Sequence, residues 1–169
     1  CGGGGGGTAS PSADQASSQP QAGTGSSQIK SVIAISQTRD NTLVVDASGV
    51  LWARGSNVGG ALGIASSSAD VLNLISKEAG DVAPQPRAFV RLSSSETHSL
   101  ALTADGVLWG WGDSADGQLG TEQTMHYKPV QLATDVVAIA TAAQHSLYVT
   151  RAGELYAMGS NVYGQLGTG

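Results

Sequence analysis

The sequence has little of what most often carries chemistry or cross-links. Cysteine occurs once in 169 residues, as Cys1, which excludes an internal disulfide and a cysteine-built zinc cluster. Histidine occurs three times, as His98, His126 and His145, with no second ligand at metal spacing, so no metal site and no cofactor is expected. The eight basic residues, Lys30, Arg39, Arg54, Lys77, Arg87, Arg91, Lys128 and Arg151, are scattered under a net charge of -5. Without a basic stripe, a surface that tracks phosphates is not expected, and neither is a nucleic-acid partner. There is no apolar run of about 18 residues, so any membrane contact has to come from an attached lipid.

The first 28 residues lack more still. They contain one charged side chain, Asp14, and no aromatic residue, Val, Ile or Leu. Such a segment buries too little apolar surface to offset its ordering entropy, and 1–28 reads as a flexible tether reaching about 30 Å on average. From Ile29 onward Val32, Ile33 and Ile35 begin the first apolar run, so the folded part is expected to be 29–169.

What that part contains is one unit written three times. Asn41-Thr42-Leu43, His98-Ser99-Leu100 and His145-Ser146-Leu147 open equivalent strands. Ser48-Gly49-Val50-Leu51-Trp52, Asp105-Gly106-Val107-Leu108-Trp109 and Ala152-Gly153-Glu154-Leu155-Tyr156 follow. Gly60-Ala61-Leu62-Gly63, Gly117-Gln118-Leu119-Gly120 and Gly164-Gln165-Leu166-Gly167 close them. Each landmark shifts by 57 residues from the first copy to the second and by 47 from the second to the third, so blocks 32–63, 89–120 and 136–167 align without a gap. Each block opens on a short β-branched run such as Val136 to Ala140, then turns a hairpin at the glycine after Ser48, Asp105 or Ala152. Leu100, Leu108, Leu147 and Leu155 are expected to point into blade cores. Units of this size, with glycine and aromatic markers and no helical period, are propeller blades, which bury their faces only against neighbours.

His98 to Gly106, then Trp111-Gly112-Asp113, then Gly117 to Gly120 resemble the regulator of chromosome condensation repeat, and Gly159 to Gly169 agrees in the third copy. There are departures. The repeat's tryptophan is Trp111 in the second copy but Arg54 and Met158 in the others, the strand histidine is Asn41 in the first, and Ser95-Glu96 and Ala142-Ala143 stand where a glycine pair is expected. The resemblance implies an all-β, partial β-propeller of three blades, a fragment of a ring of about seven. It makes His98, His145, Gly106, Gly153, Gly117, Gln118, Leu119, Gly120, Gly164, Gln165, Leu166 and Gly167 structural repeat markers.

No catalytic constellation stands out. His98-Ser99 and His145-Ser146 suggest base and nucleophile, but adjacent strand residues point to opposite faces. Asp113 to Gly117 lacks the further carboxylates of a calcium loop and reads as a blade turn. His126 reads as a surface residue in the connecting loop from Thr121 to Tyr127. The longer connection from Ile64 to Arg87 offers Val71, Leu72, Leu74 and Ile75 at helical spacing after the cap Ser68, which predicts a short helix ended by Gly80 and Pro84. This insertion is either a functional segment or a plain one.

Cys1 followed by six glycines resembles a mature bacterial lipoprotein, whose thiol carries diacylglycerol. The alternative is an incidental cysteine at a cut end. With Gly2 rather than Asp, the sorting rules of that class imply the outer membrane. The founding member of the repeat family acts as a nucleotide exchange factor for a small nuclear GTPase and docks on chromatin, activities not carried over to this chain. The expected function is a non-enzymatic module on a bacterial envelope surface that binds a protein partner, as secreted propellers that inhibit enzymes do. The alternative is a lyase or hydrolase with its site on one propeller face, for which Asp135, Glu122, His126 and Asp81 are the ionisable loop residues available.

Overall fold

The computed structural model describes residues 31–64, 68–74 and 88–168. Cys1, the expected tether and all of 75–87, with Ile75, Gly80, Asp81 and Pro84, lie outside the described residues. Among the described residues eleven strands form three antiparallel sheets. Blade 1 comprises β1 (Val32–Gln37), β2 (Asn41–Asp46), β3 (Leu51–Ser56) and β4 (Ser68–Leu74). Blade 2 comprises β5 (Phe89–Ser94), β6 (His98–Thr103), β7 (Leu108–Asp113) and β8 (Met125–Ala133). Blade 3 comprises β9 (Val136–Thr141), β10 (His145–Thr150) and β11 (Leu155–Gly159). Within each sheet the strands pair in chain order, so each blade is a meander.

The three hairpins share one register. Val45 faces Leu51, Leu102 faces Leu108 and Val149 faces Leu155; at the far end Asn41, His98 and His145 face Gly55, Gly112 and Gly159. Those last glycines have φ of 111°, 103° and 115°, and a Cβ on any of them would fall within 2.4 Å of a backbone oxygen of the preceding turn. Only glycine allows that approach.

The expected helix is a strand. Ser68 to Leu74 forms β4, which pairs Trp52 with Leu74 and Ser56 with Ser68. Without β4 the whole outer edge of β3 is unpaired, and supplying those ladder bonds overrides a helical spacing that seven residues of mixed polarity specify weakly. The reading of 121–127 as loop is corrected in the same way. Its end belongs to β8, which closes blade 2, and His126 sits on that strand opposite Gly112.

The core lies between blades rather than inside them. One cluster joins Leu43, Val45, Leu51, Ala53, Leu62 and Ile64 of blade 1 to Phe89, Ala101 and Trp111 of blade 2. The second joins Leu100, Leu102, Leu108 and Leu119 of blade 2 to Val136, with Ile139 and Tyr148 packed against it. Strand alternation explains the division: on β6 Leu100 and Leu102 face blade 3, whereas Ala101 faces blade 1. All six residues of β6 are consequently buried. Leu100 and Leu108 are buried as expected, but Leu147 is half-buried and Leu155 is 65% exposed. The surface that a following blade covers at Leu51 and Leu108 has no such cover at Leu155 among the described residues.

Candidate functional site

One end of the wedge carries the β1–β2, β5–β6 and β9–β10 connections together with the three closing loops. The other carries the β2–β3 type hairpin turns at Gly49, Gly106 and Gly153. The closing loops share one brace, a side-chain oxygen that accepts from the amide of the marker leucine. Asn57 Oδ1 accepts from the Leu62 amide at 2.8 Å, Ser114 Oγ from Leu119 at 3.2 Å and Asn161 Oδ1 from Leu166 at 2.9 Å. In copies two and three the marker glutamine also folds back, Gln118 Oε1 accepting from the Asp116 amide at 2.9 Å and Gln165 Oε1 from Tyr163 at 2.8 Å. Gly117, Gly120, Gly164 and Gly167 take positive φ in these turns, while Leu119 is buried and Leu166 half-buried beneath them. The markers thus hold the loop backbone, and the two residues at each tip are left to vary: Val58-Gly59, Ala115-Asp116 and Val162-Tyr163. Val58, Val162 and Tyr163 are exposed, Tyr163 to 91%.

The strand histidine and serine act at the seams. The His98 imidazole is fully buried, with Nδ1 2.8 Å from Ser95 Oγ and Nε2 2.8 Å from Ser146 Oγ of blade 3. One ring nitrogen donates and the other accepts. Burial, only partly opposed by the Asp113 carboxylate, pushes its pKa down to about 4, so the ring is neutral. Ser99, on the opposite face, donates to the Ala61 carbonyl of blade 1 at 2.8 Å, and Trp111 Nε1 donates to the same oxygen at 2.8 Å. His98 and Ser99 therefore serve different seams. Half-buried His145 opens β10, and the turn glycines Gly106 and Gly153 close the far hairpins with φ of 89° and 85°.

Where the first strands of neighbouring blades meet, a third set recurs that the sequence reading missed. Ser36 Oγ meets Ser94 Oγ at 2.7 Å and accepts from the Ser94 amide, and Ser93 Oγ meets Thr141 Oγ1 at 2.9 Å and accepts from the Thr141 amide. The signal was available, since Ser36 and Ser93 are 57 residues apart, as are the other markers of those copies.

The ionisable loop residues do not converge. Glu122 and His126 lie at one end of β8 and Asp135 just past the other, roughly 26 Å of strand apart. His126 is half-buried, its Nε2 2.8 Å from Thr121 Oγ1, and burial lowers its pKa. Asp135 is exposed at φ 57° in the turn that leads into β9. Asp81 lies outside the described residues. Near the hairpin turns, the Trp52 indole N–H bonded to Asp46 at 2.9 Å and the Thr103 hydroxyl bonded to Asp105 hold those carboxyls below the usual range. Both are turn braces. Among the described residues no three metal-binding side chains come together.

Two models of the regulator of chromosome condensation (RCC1) repeat match, one over residues 105–149 and one over 89–118 and again over 136–165. The chain is 36% identical over 85 residues to the X-linked retinitis pigmentosa GTPase regulator of Canis lupus familiaris, a match covering 50% of this chain and 8% of that protein. Its fold is similar to Prp20p from Saccharomyces cerevisiae, whose structure is described with its binding to Gsp1p and histones, at TM-score 0.68 and 22% identity over 82% of this chain and 34% of that one. It is also similar to human WBSCR16, at TM-score 0.65 and 20% identity over 76% of this chain and 33% of that one. The chain thus spans about a third of either solved propeller and a small part of the curated relative.

Proposed function

Because this chain belongs to the regulator of chromosome condensation repeat family, we propose that its three blades are a segment of a propeller ring that binds a protein partner, without catalysis, through the face carrying the closing loops. One observation carries this reading. Three loops with the same backbone bracing present different side chains at the same two tip positions, and the apolar ones, Val58, Val162 and Tyr163, face solvent. A rigid frame with variable exposed tips is how a scaffold supplies recognition. Relatives of the fold are described with protein partners, Prp20p with Gsp1p and histones, which supports a protein as the class of ligand without naming it. The separation of Asp135 from Glu122 and His126 along β8 speaks against the rival reading, a lyase or hydrolase.

The experiment is site-directed photo-cross-linking in the native host, with a photoreactive residue at Val58 or Tyr163 and, as controls, at Ser48 or Arg151 on the hairpin face. A saturable adduct with one protein is expected from the loop face only. Equal labelling from both faces, or turnover in a screen of hydrolase and lyase substrates, overturns the reading.

We propose further that the module is held at a bacterial outer membrane by a lipid on Cys1, a reading supported by the Cys-Gly pair and the charge-poor, glycine-rich residues that follow it. With its own leader in a Gram-negative host, the protein is expected to incorporate labelled palmitate and to lose it in Cys1→Ser. An unlabelled, soluble wild type would end that part of the proposal.

A further inference from the structure

The seam between blades 1 and 2 holds a small hole on the same face as the closing loops. Its volume is about 130 Å³, and its wall is Thr38, Asp40, Asn41, Ser56, Val58, Glu96 and Thr97. One residue of its wall departs from the repeat. Asn41 occupies the position of His98, and where the imidazole of His98 spans the next seam to reach Ser146, the shorter Asn41 stops short. Asn41 is only 4% exposed, yet its Oδ1 meets no donor, and neither does Thr97 Oγ1 in the same wall. A buried carbonyl oxygen without a donor is costly, on the order of 1 to 3 kcal/mol across proteins, and calls for an explanation.

The wall offers oxygens and almost nothing else. Two carboxylates, Asp40 and Glu96, stand exposed at its rim; three hydroxyls and the Asn41 amide lie further in; no cationic side chain contributes. At the other seam His98 stands in the place of Asn41, and Gln144 Nε2 donates across to Asp116 Oδ2 at 3.1 Å. The positions of Asp116 and Gln144 are Gly59 and Thr97 in the open seam, which shortens both partners there.

We infer that this pocket takes the cationic tip of a lysine or arginine side chain from the protein partner, with Asp40 and Glu96 attracting the charge and the Asn41 and Thr97 side chains rotating to turn Oδ1 and Oγ1 toward its N–H groups. The inference rests on the proposed function and gives its partner a chemistry. A volume of about 130 Å³ holds roughly four waters, enough for an ammonium or guanidinium group with the last methylenes of its stem. Val58 at the rim, 69% exposed, provides apolar contact for that stem.

The test uses the full chain, isotope-labelled, titrated with N-acetyl-lysine methylamide, with methylguanidinium and with the neutral N-acetyl-norleucine methylamide. Saturable NMR shifts of the Asn41 side-chain amide and the Thr97 amide are expected with both cations and not with the neutral analogue. Asp40→Asn with Glu96→Gln, both at exposed positions that leave the fold unburdened, is expected to weaken binding about fivefold. Asn41→His, which removes the amide oxygen and adds a ring to the wall, is expected to abolish it. Shifts that survive Asn41→His, or that calcium ions produce and the lysine analogue does not, overturn the inference. The cross-linking experiment separates this from the reading beneath it. If Asn41→His leaves the Tyr163 adduct and its competition by partner intact, the loop face still binds protein and the cationic anchor is wrong; if no adduct forms in the wild type while the lysine analogue binds, protein binding through this face is wrong and the pocket serves a free cation.

Discussion

The two seams of this wedge solve one packing problem with different residues. Between blades 1 and 2, Trp111 and Ser99 both donate to the Ala61 carbonyl, and the indole lies 3.0 Å from where a Gly63 side chain would begin. Between blades 2 and 3, Met158 takes the tryptophan's place, its sulfur 3.1 Å from the same point on Gly120, and has no N–H to give. There His98 makes the polar crossing to Ser146 instead. Where the histidine is replaced by Asn41 the tryptophan is present, and where the tryptophan is replaced by Met158 the histidine is present. A seam keeps its fold if it has one buried polar crossing and a filled methyl-sized space beside the closing glycine; it does not need the full marker set.

The sharpest way to break this comparison is to remove the large partner of the first seam. Trp111→Ala is expected to cost about 4 kcal/mol by denaturant titration, through the cavity and the lost N–H bond. Met158→Ala should cost no more than about half of that, because Met158 is only half-buried. A reversal of that order would mean that the seams do not carry comparable weight.

Acid tests the second seam. The His98 pKa is lowered from 6.5 to about 4, so the unfolded chain binds a proton that the folded chain refuses. Stability from this group is complete above about pH 6.5 and is lost progressively down to about pH 4, on the order of 3 kcal/mol in all. Chemical denaturation at stepped pH should show that loss, and His98→Asn, which copies the first seam, should flatten it. An unchanged pH profile in the variant would place the acid-sensitive group elsewhere.

A smaller effect, about 1 to 2 kcal/mol, is expected for Ser146→Ala, which leaves one buried ring nitrogen of His98 without its partner. Smallest are the surfaces that neither seam uses. Leu155→Ala and Tyr163→Ala should each change stability by no more than about 0.5 kcal/mol, against roughly 2 to 5 for Leu108→Ala at the position equivalent to Leu155. Equal losses at Leu155 and Leu108 would mean that further chain covers the third blade in solution.

Much of this was legible in the residues. The offsets of 57 and 47 placed every hairpin, every turn glycine and all three closing loops in register, because each blade repeats the same local backbone demands. The fourth strands were not legible. Ser68–Leu74 and Met125–Ala133 have no repeat marker and no alternation strong enough to exclude a helix or a loop; they are strands because the edges of β3 and β7 need partners. The seam chemistry was half legible, since alternation told that His98 and Ser99 face apart but not what each would meet.

The amino-acid sequence by itself determined the blade, since short-range requirements such as a left-handed turn at Gly106, or a backbone approach that tolerates no Cβ at Gly112, are written into single residues and repeat with them. Only the tertiary structure decided which residues are core and which are site. Leu108 and Leu155 are the same letter in the same register, one buried and one open, and of the equivalent Asn41 and His98 the first lines a hole while the second bonds across to Ser146. The physical reason is that a blade has no interior of its own: its burial, its unpaired groups and its pockets all belong to the contact with the next blade, which no local pattern specifies.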